Sequence, residues 1–187
     1  DLGRSVHGFV PLGMIEGFAV YQESQLNDGV GGRGNHAPFV QQFNANLGSS
    51  SPWNMAQLMT PSNASRPAGR FYIGGYMFTN WFVENYGLDY AKNTVYRQAH
   101  FPFIGYPAIL WIESGDSPWK LYRNFYADMW AKEQTRLDSL HQIGFSSFEV
   151  VNMGSLNGSD VHQPKWISDN EVLYYGRYYN NRSGFWI

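Results

Sequence analysis

The sequence predicts a mainly α-helical fold that is followed by a short β segment. Apolar residues recur at helical spacing through successive stretches of the chain up to about residue 145. Beyond that point the pattern changes to short runs rich in Val, Ile, Tyr and Trp, which are separated by Gly, Asn and Asp. We therefore expect a helical domain over residues 1–145 and a β segment over residues 146–187.

The first predicted helix covers residues 12–25, and it contains two carboxylates, Glu16 and Glu23. Because these residues are spaced two helical turns apart, we expect them on the same face. The next stretch, residues 27–35, reads NDGVGGRGN and predicts a flexible loop. The helix is predicted because Ile15, Phe18, Ala19 and Gln22 recur at helical spacing.

Three helices are predicted in the middle of the chain, the first two separated by a stretch that contains several Gly and Pro residues. Two adjacent glycines, Gly74 and Gly75, are unfavourable inside a helix and predict close packing against a neighbouring element. An irregular connector is expected over residues 49–69. The predicted helices are residues 36–48, 70–87 and 88–100.

The longest predicted helix covers residues 117–144, and Ser117 followed by Pro118 is a clear signal for its start. Its charged residues, among them Glu133 and Arg136, are expected in solvent. The apolar stripe expected to be buried consists of Trp119, Tyr122, Phe125, Tyr126, Met129 and Trp130.

The β segment is predicted from short runs of strand-forming residues with turn-forming residues between them. No repeat period recurs within the chain, so a complete array of repeats is not expected. The predicted runs are residues 145–153, 165–169, 171–179 and 184–187.

Composition excludes several classes of function. The 187 residues have a formal net charge of −2 and only 15% charged residues, which gives no electrostatic footprint for nucleic acid. No apolar run approaches the roughly 20 residues of a membrane span. The chain has no cysteine, so a metal site would have to use His, Asp or Glu. Aromatic residues reach 18%, a share typical of periplasmic or secreted proteins that handle sugars or peptides, and we expect an extracytoplasmic location. The alternative is a cytosolic protein, because residues 1–10 do not resemble a signal peptide.

The usual catalytic motifs do not occur in the sequence. None of the five histidines is followed by Glu or spaced from another as a metal pair, so a self-contained zinc site is not expected. The sequence contains no G-x-S-x-G motif, which disfavours a serine hydrolase. The stretch GVGGRG at residues 29–34 lacks the Lys-Ser/Thr ending of a phosphate-binding loop.

One segment carries a resemblance to a known family. Residues 14–24, MIEGFAVYQES, resemble the helix of gluzincin metallopeptidases that reads W-x-x-E-G-x-A-x-Y-x-E and supplies the third zinc ligand. Met14 and Leu12 stand where an aromatic residue is more usual. The resemblance implies that Glu16 is a zinc ligand and that Glu23 is at most a supporting or substrate-facing carboxylate. The matching residues are Glu16, Gly17, Ala19, Tyr21 and Glu23.

Later segments extend the resemblance in the expected order. Residues 70–87 and residues 114–129 look like two helices that follow in bacterial peptidases of this type. Residues 162–187 are similar to the opening strands of a TolB-like β-propeller, although Asn170 replaces the usual Gly. The resemblance implies that the helical domain is the C-terminal part of a gluzincin metallopeptidase domain and that the β segment is the start of a propeller blade.

The function implied by this resemblance is zinc-dependent hydrolysis of peptide or protein substrates by a zinc-activated water. The H-E-x-x-H half of the site would precede Asp1, so we expect an internal fragment that binds zinc only with the remaining segments of its parent protein and is inactive alone. Tyr72 and Tyr76 are candidates to donate a hydrogen bond to the developing oxyanion. The alternative is a non-catalytic module of helices and a propeller that binds peptides or glycans through Tyr and Trp.

Overall fold

The computed structural model divides the chain into two compact units, Asp1–Gly144 and Phe145–Ile187. The first unit is helical and the second contains a short antiparallel sheet, so the predicted fold class is confirmed. The structure describes residues 10–26, 29–61, 69–144, 160–177 and 184–186.

Seven α-helices lie within the described part of the first unit. Two short 3₁₀ turns, Arg33–Asn35 and Pro102–Ile104, lie between them. Glycines follow two of the helices at the predicted positions, Gly48 and Gly87, and the positive φ of 98° at Gly87 is one that favours glycine. The helices are α1 Leu12–Gln25, α2 Ala37–Leu47, α3 Met55–Met59, α4 Arg70–Tyr86, α5 Leu88–His100, α6 Tyr106–Ser114 and α7 Pro118–Ile143.

The sequence does not predict α3 or α6. Helix α3 lies within the expected irregular connector, where a capping box starts it: Asn54 Oδ1 accepts from the Gln57 backbone N–H, and Gln57 Oε1 accepts from the Asn54 backbone N–H. Helix α6 starts after Gly105 and has Pro107 in its first turn. Both helices have too few turns for an apolar period to stand out in the sequence.

Helices α1 and α4 cross at direct backbone contact, which glycines make possible. A side chain on Gly17 would overlap the backbone of Gly75, and a side chain on Gly75 would overlap the carbonyl group of Gly13. Gly74 lies against Leu58 of α3, where an added Cβ would meet the Leu58 Cβ at 3.0 Å. The close packing predicted for the two glycines of α4 is therefore confirmed, and α1 and α3 are the elements that pack there.

The buried face of α1 does not follow the spacing of its apolar residues. Ile15 and Ala19, whose spacing predicted the helix, are exposed, and Phe18 is partly buried. Because α1 meets α4 through its glycines, the smallest residues of α1, and not its largest apolar ones, decide which face is inside. The buried residues of α1 are Gly13, Met14, Gly17, Val20, Tyr21 and Ser24.

Aromatic rings form the centre of the helical unit. The ring of Phe125 in α7 packs against Phe78 and Trp81 of α4 and against Phe43 of α2, with centroids 5.4, 5.6 and 5.7 Å apart. The indole N–H of Trp81 donates to Asp128 Oδ2 at 2.7 Å, so this buried ring keeps its hydrogen bond. Phe125 therefore joins three helices in one core.

Helix α7 buries a stripe that is rotated from the predicted one. Phe125 is buried as predicted, whereas Trp119 and Trp130 are exposed. Glu133 was expected in solvent, yet it is 6% exposed, and its carboxylate accepts hydrogen bonds from Arg136 at 2.8 and 2.6 Å. Both hydrogen bonds to the guanidinium compensate for the loss of water around this carboxylate.

The second unit contains an antiparallel sheet with the strand order β1–β2–β3. A two-residue turn at Asp169 and Asn170 joins β1 to β2, and Trp166 pairs with Val172 across the two strands. The predicted runs at Glu171 and Gly184 begin where β2 and β3 begin, whereas the run at Lys165 covers only the second half of β1, which begins at Asp160. The run at residues 145–153 lies outside the described residues. The strands are β1 Asp160–Ser168, β2 Glu171–Arg177 and β3 Gly184–Trp186.

We expect Gly17→Ala to lower the free energy of unfolding by about 3 kcal/mol, because the added Cβ would overlap backbone atoms that cannot move aside. Urea denaturation of the 187-residue chain measures the change. Gly48→Ala is the matched control, since its Cβ would lie 3.6 Å from the Trp130 ring and should change stability by less than about 1 kcal/mol. Equal losses in the two variants would contradict the close crossing.

Candidate functional site

Glu16 lies on α1 next to Gly17, where the helix touches α4. Its side chain is partly buried, and it makes no hydrogen bond or ion pair with any residue that the structure describes. The helix crossing fixes the backbone of Glu16 and leaves its carboxylate oxygens without a protein partner in the described ranges. Such a carboxylate is chemically suited to bind a cation.

Glu23, two turns further along α1, has a different environment. Its Oε1 accepts from Arg33 Nε at 2.7 Å and from the Arg33 backbone N–H at 2.9 Å, and its Oε2 lies 3.3 Å from Arg33 Nη2. The hydrogen bonds from the Arg33 side chain, and then the one from its backbone, hold the pKa of Glu23 below its ordinary value. Both oxygens of this carboxylate are thus bonded to a single arginine.

The glycine-rich stretch after α1 folds back onto that helix. Ser24 Oγ accepts from the Gly34 backbone N–H at 2.9 Å, and the Asn35 side-chain amide donates to the Ser24 carbonyl at 2.9 Å. Gly32 has a positive φ of 82°, and a side chain there would meet the Glu23 carbonyl carbon at 2.6 Å. Within the described residues 29–35 the stretch contains the 3₁₀ turn Arg33–Asn35 and has specific partners in Glu23 and Ser24, which the sequence did not predict; its predicted flexibility stays a prediction.

Arg33 is the residue of this site that the sequence did not indicate. Its guanidinium carbon lies 5.3 Å from the centre of the Tyr72 ring, a distance at which a cation is attracted to an aromatic face. The hydrogen bonds to Glu23 raise the pKa of Arg33, and the negative charge of Glu16 adds to this effect. Arg33 therefore bonds to Glu23, lies over the Tyr72 ring and is attracted by the charge of Glu16. The sequence did not indicate these contacts, because Arg33 is a lone charged residue within a glycine-rich stretch.

The two candidate tyrosines of α4 occupy different positions. Tyr72 is partly buried beside Arg33, and its hydroxyl makes no hydrogen bond with any described residue. Tyr76 is buried beneath Gly34, where a side chain would overlap the Tyr76 ring, and burial is the main reason that its pKa is raised. Tyr72 is therefore the more accessible of the two phenols.

The described residues do not form a complete metal site. They contain no group of three His, Cys, Asp or Glu side chains that could hold a metal ion together. Glu16 is one suitable oxygen donor, but structural and catalytic zinc ions need three or four protein ligands. The described residues could therefore supply one zinc ligand, Glu16, but they do not supply a complete set of ligands.

Two further observations bear on the identity of the chain. No helix in the described ranges combines the length and the apolar character that crossing a membrane requires. Comparison of the chain with protein-family models, with curated proteins and with solved structures gave no match. The gluzincin resemblance therefore rests on the sequence motifs and stays a prediction.

We expect Glu23→Gln to lower thermal stability near neutral pH and to have no effect in acid. Because the folded pKa of Glu23 lies below its ordinary value of 4.5, its ion pair stabilises the fold above that value and is lost as the pH falls through the folded pKa. The ion pair is partly exposed, so the expected loss is less than about 1 kcal/mol.

Thermal unfolding of both proteins at about pH 7 and about pH 2 measures this difference. Glu16→Gln is the matched control, because Glu16 makes no such ion pair in the described ranges and should change the melting temperature less at neutral pH. A loss in Glu23→Gln that persists unchanged in acid would contradict the role of its charge.

Proposed function

We propose that this chain supplies Glu16 as one zinc ligand of a peptidase, and that the other ligands lie outside the described residues in a longer protein that contains this chain. The observation that carries the proposal is the contrast between the two carboxylates of α1. Glu23 is bonded to Arg33 through both oxygens, whereas Glu16 makes no hydrogen bond or ion pair with a described residue. Glu16 also stands at the ligand position of the motif that α1 resembles.

The local packing supports a fixed position for such a ligand. Glu16 is flanked by Gly17, and the backbone contact between Gly17 and Gly75 leaves α1 little freedom to shift along α4. A ligand carboxylate needs a fixed backbone because metal sites tolerate only small errors in ligand position. Helix packing thus explains why a glycine follows Glu16 in the sequence. The same contact holds the backbone of Glu16 in place.

Zinc held by Glu16 and by ligands from the rest of the longer protein would supply a Lewis acid that polarises the peptide carbonyl and acidifies water. The residues of this chain would act around it. Glu23 holds Arg33, Arg33 places a positive charge near Glu16, and Tyr72 carries a hydroxyl that can donate a hydrogen bond to an oxygen that gains negative charge. The proposed substrate is a peptide or protein, and the proposed location is periplasmic or secreted.

A second candidate function is binding without catalysis. Phe103, Trp111 and Trp119 leave 87%, 58% and 73% of their surface exposed. Exposed aromatic rings are the residues that commonly anchor peptide and glycan partners. The two functions are distinguished by metal content, because the binding module needs no zinc.

We expect Glu16→Gln in the longer protein to abolish both zinc content and peptide hydrolysis while the helical circular dichroism is preserved. The amide keeps the size of the side chain and removes the charge that the metal requires. Zinc is measured by mass spectrometry of the dialysed protein, with about one ion per chain expected before the substitution.

The control is Glu84→Gln, which changes another glutamate on the surface of the same unit. Glu84 pairs with Lys132 at 2.7 Å and has no place in the proposed site, so zinc content and activity should be unchanged. Retention of both zinc and activity in Glu16→Gln would eliminate the ligand assignment. Absence of zinc from the parent protein itself would favour the binding module.

A further inference from the structure

A second candidate site lies on the helical unit, in a groove between α2 and residues 130–137 of α7. The groove has a volume of about 380 Å³. This volume falls within the range of roughly 300 to 1,000 Å³ that is typical of small-molecule sites. The aromatic and polar residues of its walls are Gln41 and Asn44 of α2 and Trp130, Glu133 and Arg136 of α7.

Trp130 forms the aromatic part of the groove. The end of α2 lies close to the indole at Gly48, where an added Cβ would be 3.6 Å from the ring carbon Cζ3. The residue still leaves 40% of its surface exposed. An aromatic face carries partial negative charge and attracts the C–H groups of a ligand. Trp130 therefore offers a supported but accessible surface for stacking.

Glu133 and Arg136 form a charged pair in the same wall. The carboxylate of Glu133 accepts from Arg136 Nε at 2.8 Å and from Nη2 at 2.6 Å, and its side chain is only 6% exposed. The guanidinium of Arg136 is 43% exposed, so its other N–H groups can still donate to a ligand. A pair of this kind adds little net stability, because desolvation offsets the attraction between the charges. Its place in the wall is better explained by binding.

The opposite wall offers two side-chain amides. Gln41 and Asn44 are three residues apart on α2, so they lie on the same face of the helix. Neither amide makes a hydrogen bond with a residue that the structure describes. The neighbouring Gln42 differs, because its amide donates to the Pro38 carbonyl and it does not line the groove. Each amide of the wall can both donate and accept.

These walls restrict the chemistry of the ligand. The charges of Glu133 and Arg136 cancel, so an anion would meet the carboxylate and a cation would meet the guanidinium without gaining an unpaired opposite charge in the wall. A wholly apolar ligand would remove water from the amides and the ion pair without replacing its hydrogen bonds. The ligand should therefore be uncharged, with many hydrogen-bonding groups and one apolar face.

We propose that this groove binds a neutral saccharide. The C–H face of a sugar ring would stack on Trp130, and its hydroxyls, which both donate and accept, would bond to Gln41, Asn44 and Arg136. Polar groups on both walls suit hydroxyls that point outward all around a ring. The site shares no residue with the proposed zinc ligand or with the exposed rings of the second candidate function, so it depends on neither.

The first test measures binding of neutral disaccharides to the 187-residue chain by saturation-transfer NMR and calorimetry. The probes are cellobiose, maltose, lactose and N,N′-diacetylchitobiose. We expect at least one of them to bind saturably, at about one molecule per chain, with a Kd of about 0.1 to 1 mM. Trp130→Ala should weaken this binding about tenfold, because it removes the stacking surface.

The matched control is Trp119→Ala, which removes another exposed tryptophan from the same helix. Trp119 does not line this groove, so the variant should bind the saccharide as the parent does. Glu16→Gln should also leave saccharide binding unchanged. Its result separates the failure of this proposal from failure of the peptidase proposal.

The second test compares two adjacent glutamines of α2. Gln41→Ala should weaken saccharide binding about fivefold, because one hydrogen bond to the ligand is lost. Gln42→Ala should have no effect, since that residue lies outside the groove. Both side chains are exposed and alanine favours a helix, so both variants should fold and the comparison does not depend on the Trp130 variant.

Several outcomes would overturn the proposal. Saturable binding of none of the disaccharides would eliminate a saccharide site. An equal loss in Trp119→Ala and Trp130→Ala, or in Gln41→Ala and Gln42→Ala, would show that the sugar binds elsewhere on the surface. Tighter binding of adenosine than of every disaccharide, lost in Trp130→Ala, would assign the groove to a nucleobase instead.

Discussion

The backbone contact between α1 and α4 is the constraint on which the rest of the helical unit depends. Gly13, Gly17 and Gly75 bring the two helices closer than any side chain would permit. This contact fixes the rotation of α1, and with it the directions in which Glu16, Glu23 and Ser24 point. Gly74 likewise allows α3 to approach α4 closely, because Leu58 of α3 packs against it.

The neighbouring segments are then held by polar contacts of specific residues. Ser24 accepts from the Gly34 N–H, and Arg70 Nε donates to the Gln57 carbonyl at the end of α3. The Trp53 carbonyl accepts from the Tyr122 and Tyr126 hydroxyls of α7 at 3.2 and 3.1 Å. These contacts place the start of α3 beside α7.

The two carboxylates of α1 show how the same residue type acquires different roles from its surroundings. Glu23 has Arg33 as its partner through side chain and backbone, and its charge serves to hold the glycine-rich stretch. Glu16 faces the same arginine only through longer-range attraction and has no direct partner in the described ranges. Spacing along the helix placed them on one face, but their partners distinguish their chemistry.

The sequence by itself determined the fold class, the longer helices and several of their ends, because apolar period, Gly and Pro are local signals. Tertiary structure decided which face of each helix is buried: Ile15 and Trp119 are exposed because α1 packs through glycines and α7 packs through Phe125. The position of Arg33 also came only from the fold. Its partners lie on α1 and α4, ten or more residues away along the chain, and local patterns do not report such contacts.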